Sequence, residues 1–245
     1  MSAQSKLIFG TMRMTEYNYS ISHWVDLFSE MHNSGIFIHH VSSEYESYSY
    51  YLDVLKEFKL KFPNKQITHL VKLAEPHFDS DIFDVNLFQY KIDKYLTDLN
   101  IPMLWGIQWM WRGNLNDEAS RLKSFESNFK LVYSKVRELK KNNIIDSFYL
   151  FPYTTTFCEH ALEISKNIKI KLFDGLTVYR NIQESDFDKY LSFFERNIVI
   201  RPLYGGKLKT SIPNKQLVDF SLNHTGVANC IISISSNFRL KEILN

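Results

Sequence analysis

Short apolar runs and helix-spaced apolar residues alternate along the whole chain, eight times over. The strand-like runs are Lys6–Gly10, Ile36–Val41, Ile67–Leu73, Met103–Trp109, Ile145–Phe151, Ile168–Phe173, Ile198–Leu203 and Val227–Ile234. Each is short and apolar on both faces, the pattern of a strand covered by helices on either side. Between them apolar residues recur at helical spacing, as in Trp24, Leu27, Phe28 and Met31, with Ser22 read as a cap and Gly35 as a stop. Tyr51, Leu52, Leu55 and Phe58 mark the next helix, which Pro63 closes. The spacing predicts further helices over Val85–Leu99 and Asp117–Lys141, around Phe157–Ile164, Phe187–Phe194 and Leu217–Leu222, and from about Asn237.

Alternating strands and helices allow a closed barrel or an open doubly wound sheet. Eight units in 245 residues favour the barrel. The glycine-rich turn that a doubly wound nucleotide fold carries after its first strand is missing, since Gly10 is followed by Thr11 and Met12. The expected fold is therefore α/β, a single (β/α)8 TIM barrel forming one domain over residues 1–245. A content of 44% hydrophobic and 15% aromatic residues is enough to fill such a core, and eight glycines and six prolines leave most of the chain for regular elements.

A net charge of +2 with scattered lysines argues against a nucleic-acid partner. Lys56–Lys61 and Arg137–Lys141 read as solvated helix ends. Two cysteines, Cys158 and Cys230, make no disulfide framework and no zinc spacing, which suits a reducing compartment. The opening MSAQSKLIFG has no apolar stretch long enough for a signal peptide, so none is expected, and no window approaches a membrane span. A cytoplasmic protein with no membrane partner is expected.

Chemistry in a (β/α)8 barrel sits at the C-terminal ends of the strands. Those ends carry His39-His40 with Glu44, Tyr45 and Glu46 beyond them, Lys72, Gln108-Trp109, Pro202-Leu203-Tyr204-Gly205-Gly206 and Ser235-Ser236-Asn237-Phe238-Arg239. Strand alternation sends His39 and His40 to opposite faces, so one of them is expected to face the barrel centre and the other to pack. A metal site with His69 or His77 has no supporting ligand spacing, and none is expected.

The segments FGTMRM, GIFIHHVSSEYES, RPLYGGKL and VANCIISISSNFRLKEI, together with Lys72, are similar in order and spacing to aldo-keto reductases. The likeness runs over nearly the whole chain and is weakest between about Leu115 and Arg196. It implies a Tyr general acid at Tyr45 and a tuning lysine at Lys72. It also places His40 where the family has Asp, and Gln108 where it has His. An ammonium near a phenol favours tyrosinate and lowers the phenol's pKa, so Tyr45 with Lys72 makes a proton-donor pair. Gln108 can hydrogen-bond a carbonyl oxygen but cannot relay a proton. His40 brings no fixed negative charge to hold Lys72, and Glu44, Glu46 or Glu75 is left as the source of one.

The resemblance further implies NADP or NAD as cofactor. Thr11, Met12, Pro202, Leu203, Gly205, Ser235, Ser236, Asn237 and Arg239 are the expected contacts, with Ser233 standing where the family has Gly. Hydroxyls and free backbone N–H groups at a helix start suit an anion, and Arg239 adds a fork for a 2′-phosphate. Trp109 and Trp111, in the run before Arg112, Gly113 and Asn114, either line an aromatic substrate or sugar pocket or cap the barrel. The function expected is reduction of a small carbonyl substrate, of which a sugar derivative is one, with hydride from nicotinamide and Tyr45 as proton donor. The alternative is a nucleotide-binding or regulatory barrel that has lost the usual Asp and His of the tetrad. A Schiff-base enzyme working through Lys72 ranks below both.

Overall fold

The structure, a computed structural model, describes residues 6–74, 77–112, 117–208 and 210–244. Eight strands close into a barrel: β1 (Leu7–Gly10), β2 (Ile38–Val41), β3 (Thr68–Leu73), β4 (Leu104–Trp109), β5 (Ile145–Leu150), β6 (Gly175–Tyr179), β7 (Asn197–Ile200) and β8 (Val227–Ile232). The ring runs β1-β8-β7-β6-β5-β4-β3-β2, sequence order throughout, as right-handed strand–helix–strand units require. The helices are α1 (Ile21–Asn33), α2 (Tyr48–Lys61), α3 (Val85–Leu99), α4 (Glu118–Lys141), α5 (Thr155–Asn167), α6 (Asp188–Leu191), α7 (Asn214–Leu222) and α8 (Asn237–Leu244). The expected (β/α)8 architecture is the one found. The chain gathers into two compact units, one of residues up to Leu70 with those from Val178 on, the other of Val71–Thr177.

In the first unit, β1 pairs with β8 and β2 in parallel, placing Phe9 beside Ile232 and His39. The apolar stripe of α1 buries Trp24, Leu27, Phe28 and Met31. Phe9 and Phe28 meet edge to face at 5.5 Å. The cap of α1 is Ser20, which accepts from the His23 N–H, rather than Ser22, because the helix already begins at Ile21. Gly226 opens β8 with φ +88°, and a Cβ there would fall on the Leu191 carbonyl oxygen and 2.9 Å from that of Phe194. Asn197 holds the same spot, donating from Nδ2 to the carbonyls of Leu191, Phe194 and Gly226 at 2.7, 3.0 and 2.8 Å.

In the second unit, β4 and β5 run in register from Leu104↔Ile145 to Trp109↔Leu150. An unforeseen two-stranded hairpin, Phe78–Asp79 with Ile82–Phe83, follows β3. Asn128 of α4 straps it down, accepting from Phe83 N and donating to Asp81 O, both at 2.9 Å. Asp84 then caps α3 by accepting from Asn86 N and Leu87 N, and Asn100 ends it in the left-handed region.

The sixth strand differs from the sequence reading. Ile168 closes α5, Lys169 takes φ +55°, and the strand lies at Gly175–Tyr179 instead of Ile168–Phe173. Leu172 and Phe173 are buried as an apolar lead-in, so their hydrophobicity marks burial without ladder pairing. The seventh strand stops at Ile200 because Arg201 turns to φ +59° and Pro202 has no N–H to donate. No helix of the described residues is long and apolar enough to cross a membrane.

Candidate active site

The first unit brings the loops after β1 and β2 together. Thr11 donates to the His40 carbonyl through both its N–H (3.2 Å) and its hydroxyl (3.0 Å). Ser47 donates back to the Thr11 carbonyl at 2.9 Å. Between them the chain makes a tight turn, with Tyr45 N bonded to Ser42 O and Tyr48 N to Tyr45 O. This turn delivers the half-buried Tyr45 ring to the His40 ring, edge to face, with centroids 6.0 Å apart.

The two histidines of β2 divide as alternation requires. His39 faces the helix layer, where Phe28 and Phe9 meet it at 4.6 and 5.1 Å. Its Nδ1 shares a hydrogen bond with the Tyr51 hydroxyl at 3.1 Å, and that hydroxyl meets His69 Nε2 at 2.8 Å. Burial holds the His39 imidazole well below its usual pKa, and its neighbour His69 adds to the effect. Burial, helped by the Lys59 charge, pushes His69 down to about 3. Both rings are neutral at pH 7 and belong to the packing. His40, on the opposite face, is the one placed beside Tyr45.

The cofactor candidates cluster at the other loops of this unit. Pro202 is buried, Leu203 half-buried and Gly205 exposed. The loop turns through left-handed values at Tyr204, Gly205 and Gly206, and a Cβ at Gly205 would meet nothing within 4 Å. Met12 is exposed. Ser233, in place of glycine, donates to the Gly10 carbonyl at 3.1 Å. Ser235 offers its carbonyl to His23 Nε2 at 2.9 Å, and Ser236 caps the last helix by accepting from Arg239 N at 3.3 Å. Asn237 is exposed at its start. Arg239 pairs with Glu242 at 2.7 Å.

In the second unit, Lys72 is half-buried near the end of β3, with its carbonyl accepting from the Tyr95 hydroxyl at 3.3 Å. Gln108 is buried on β4, in register with Tyr149 of β5. Trp109 points the other way, into the helix layer, against Phe88, Phe148 and Phe83. Trp111 packs on Phe125 at 4.6 Å and donates to Ser124 Oγ. Both indoles are wholly buried in the aromatic layer that the hairpin covers. His77 lies in the same layer against Phe88 and Trp109, and burial lowers its pKa to about 4. Glu75, Gly113 and Asn114 lie outside the described residues. Among the described residues no group of three or more His, Cys, Asp or Glu is arranged to hold a metal ion.

No family model matches the sequence, and no curated protein does. Solved structures do match. A putative aldo-keto reductase from Pseudomonas aeruginosa superposes with a TM-score of 0.71 at 16% identity, over 99% of this chain and 89% of that one. The fold is that of the aldo-keto reductases. A glycerol dehydrogenase from Gluconobacter oxydans gives a TM-score of 0.69 at 11% identity, over 99% and 87% of the two chains. An aldo/keto reductase from Klebsiella pneumoniae, in complex with NADP and acetate, gives 0.67 at 12% identity, over 99% and 85%. The aldo-keto reductase fold therefore extends over the middle of the chain too, where the motifs were weakest. What sequence reading missed is the Thr11–His40–Ser47 tie in the first unit and the hairpin in the second. Their signals, a Thr after a strand and a Pro-His-Phe step, are common in any loop.

Proposed function

We propose that the chain is one (β/α)8 domain acting as an NAD(P)H-dependent carbonyl oxidoreductase of the aldo-keto reductase type. The observation that carries this reading is the Tyr45 ring held against His40 by a turn tied to Thr11. A nicotinamide nucleotide, when bound, would supply the hydride for such a reduction. Tyr45 gives its phenolic proton to the oxygen as alkoxide charge develops, and a free phenol, with a pKa of about 10, is acidic enough to protonate an alkoxide. In this reading His40, whose ring nitrogens can carry a proton, returns one to the phenol between turnovers. By resemblance, Lys72 takes the role of a tuning lysine, and the Gln108 amide that of a hydrogen-bond donor to a carbonyl oxygen.

The residues at the other loops fit a dinucleotide. Exposed Asn237 and Arg239 stand at the start of α8, and Gly205 and Gly206 leave backbone bare for close approach. Thr11, Met12, Pro202, Leu203, Ser235 and Ser236 complete the contacts. Arg239, already paired with Glu242, is available to a 2′-phosphate by exchanging partners. The relatives of this fold include a glycerol dehydrogenase, which supports a small polyol or sugar-derived carbonyl as substrate. The test is Tyr45→Phe: turnover of an aldehyde panel with NADPH is expected to fall at least a thousandfold, while the fluorescence titration of NADPH is retained. Unchanged turnover would end the assignment, and nucleotide binding without turnover in the wild type would favour a regulatory barrel.

A further inference from the structure

The C-terminal ends of β6 and β7 carry two arginines in opposite circumstances. Arg180 is buried in the helix layer, with Nε and Nη2 on the Asp188 carboxylate at 2.8 and 3.1 Å and its guanidinium 4.6 Å over the Phe220 ring. It is satisfied on every side and reads as structural. Tyr179, the last residue of β6, is half-buried just before it. Arg201 stacks on Tyr179, with the guanidinium carbon 4.3 Å from the ring centroid. Arg201 is exposed, and no carboxylate among the described residues pairs with it.

The Arg201 backbone is pinned as well. Its carbonyl accepts from Asn181 Nδ2 at 3.1 Å and from Tyr204 N at 2.9 Å, and Arg180 N bonds Ile200 O just before it. These bonds hold a non-glycine residue at φ +59°, at a cost of order 1 kcal/mol or more. A guanidinium held over an aromatic face keeps N–H groups at its edge for a ligand, and the contact with the ring limits where that edge can go. Two parallel N–H groups match two oxygens of one carboxylate or phosphate.

We propose that Arg201, stacked on Tyr179, is an anion-binding site of this rim that takes a carboxylate or phosphate in bidentate fashion. Two sources of that group are compatible with its place at the head of the Pro202–Gly206 loop: the diphosphate of a bound nucleotide, or an anionic group on the carbonyl substrate. The second assignment of source rests on the reductase reading above; the anion site itself does not.

The test uses the full chain with Arg201→Gln, Arg201→Lys and Tyr179→Leu, each checked for an unaltered urea midpoint. Calorimetry follows inorganic pyrophosphate and NADPH, and steady-state kinetics compare benzaldehyde with 4-carboxybenzaldehyde. If the site serves the nucleotide, Arg201→Gln weakens pyrophosphate and NADPH at least tenfold, and both aldehydes lose turnover together at fixed cofactor. If it serves the substrate, the preference for 4-carboxybenzaldehyde over benzaldehyde falls at least tenfold. Arg201→Lys and Tyr179→Leu give smaller losses, because one keeps charge without the fork and the other keeps the fork without its support. A wild-type chain that binds pyrophosphate through Arg201 but neither binds NADPH nor reduces an aldehyde keeps the anion site and sinks the reductase. A chain that reduces aldehydes while Arg201→Gln matches wild type in every anionic measurement overturns the anion site alone.

Discussion

Among the candidate site residues, His40 is the one whose ring lies beside that of Tyr45. An imidazole has ring nitrogens that can carry a proton, which an amide of similar size cannot. His40→Asn should therefore lower kcat by about ten- to a hundredfold, within the range of a lost acid–base contribution, with little change in nucleotide affinity. A kcat equal to wild type across pH 5–9 would remove His40 from the proton path. Gly226 makes a second residue-scale case, of packing rather than chemistry. It has both a left-handed φ and carbonyl oxygens where a Cβ would sit. Gly226→Ala should cost about 2–4 kcal/mol, read as a shift in the urea midpoint, since backbone would have to move. Gly205, with a left-handed φ but open space around it, should tolerate alanine at about 1 kcal/mol.

At the scale of elements, the hairpin after β3 depends on one side chain. Asn128 satisfies a donor and an acceptor of the hairpin backbone and also reaches Ser124 O at 3.0 Å. Asn128→Ala leaves the Phe83 N–H buried without its acceptor, a loss of about 2–3 kcal/mol. Limited proteolysis should then cut between residues 78 and 83 well before global unfolding, and resistance equal to wild type would show that the aromatic packing alone holds the hairpin. The elements that were legible beforehand share a cause. Helices α1, α3 and α4 have wide apolar stripes between recognisable stops, so periodicity finds them. The sixth strand was misplaced because Ile168, Ile170 and Leu172 alternate with lysines as a half-buried strand would. Gly175–Tyr179, which forms the ladder, has the weaker pattern.

At the scale of the molecule, buried neutral imidazoles tie stability to pH. His69 and His77, with folded pKa values of about 3 and about 4, bind fewer protons when folded than when unfolded below the usual value of 6.5. His39 shifts in the same direction. The unfolded chain thus takes up more protons as pH drops from about 6.5 toward 4, and stability falls across that window by up to roughly 1.4 kcal/mol per group per pH unit. The melting temperature should drop steeply between pH 6.5 and 4 and be nearly flat from pH 7 to 8. Replacing His69 by Gln should flatten the acid limb, and a limb of unchanged slope would show that other groups drive it. The order of apolar runs determined eight strand–helix units covered on both faces, and the fit of eight units into 245 residues, with no glycine-rich turn after the first strand, favoured a ring over an open sheet. It also put Lys72 and Gln108 near strand ends and Tyr45 in the loop after the second strand, since alternation and strand length are local properties. Which histidine of the pair turns toward Tyr45, that Trp109 packs into the helix layer, and that Arg201 stacks on Tyr179 were decided only by tertiary structure. Each depends on where a side chain from a distant part of the chain arrives, and no local period encodes that.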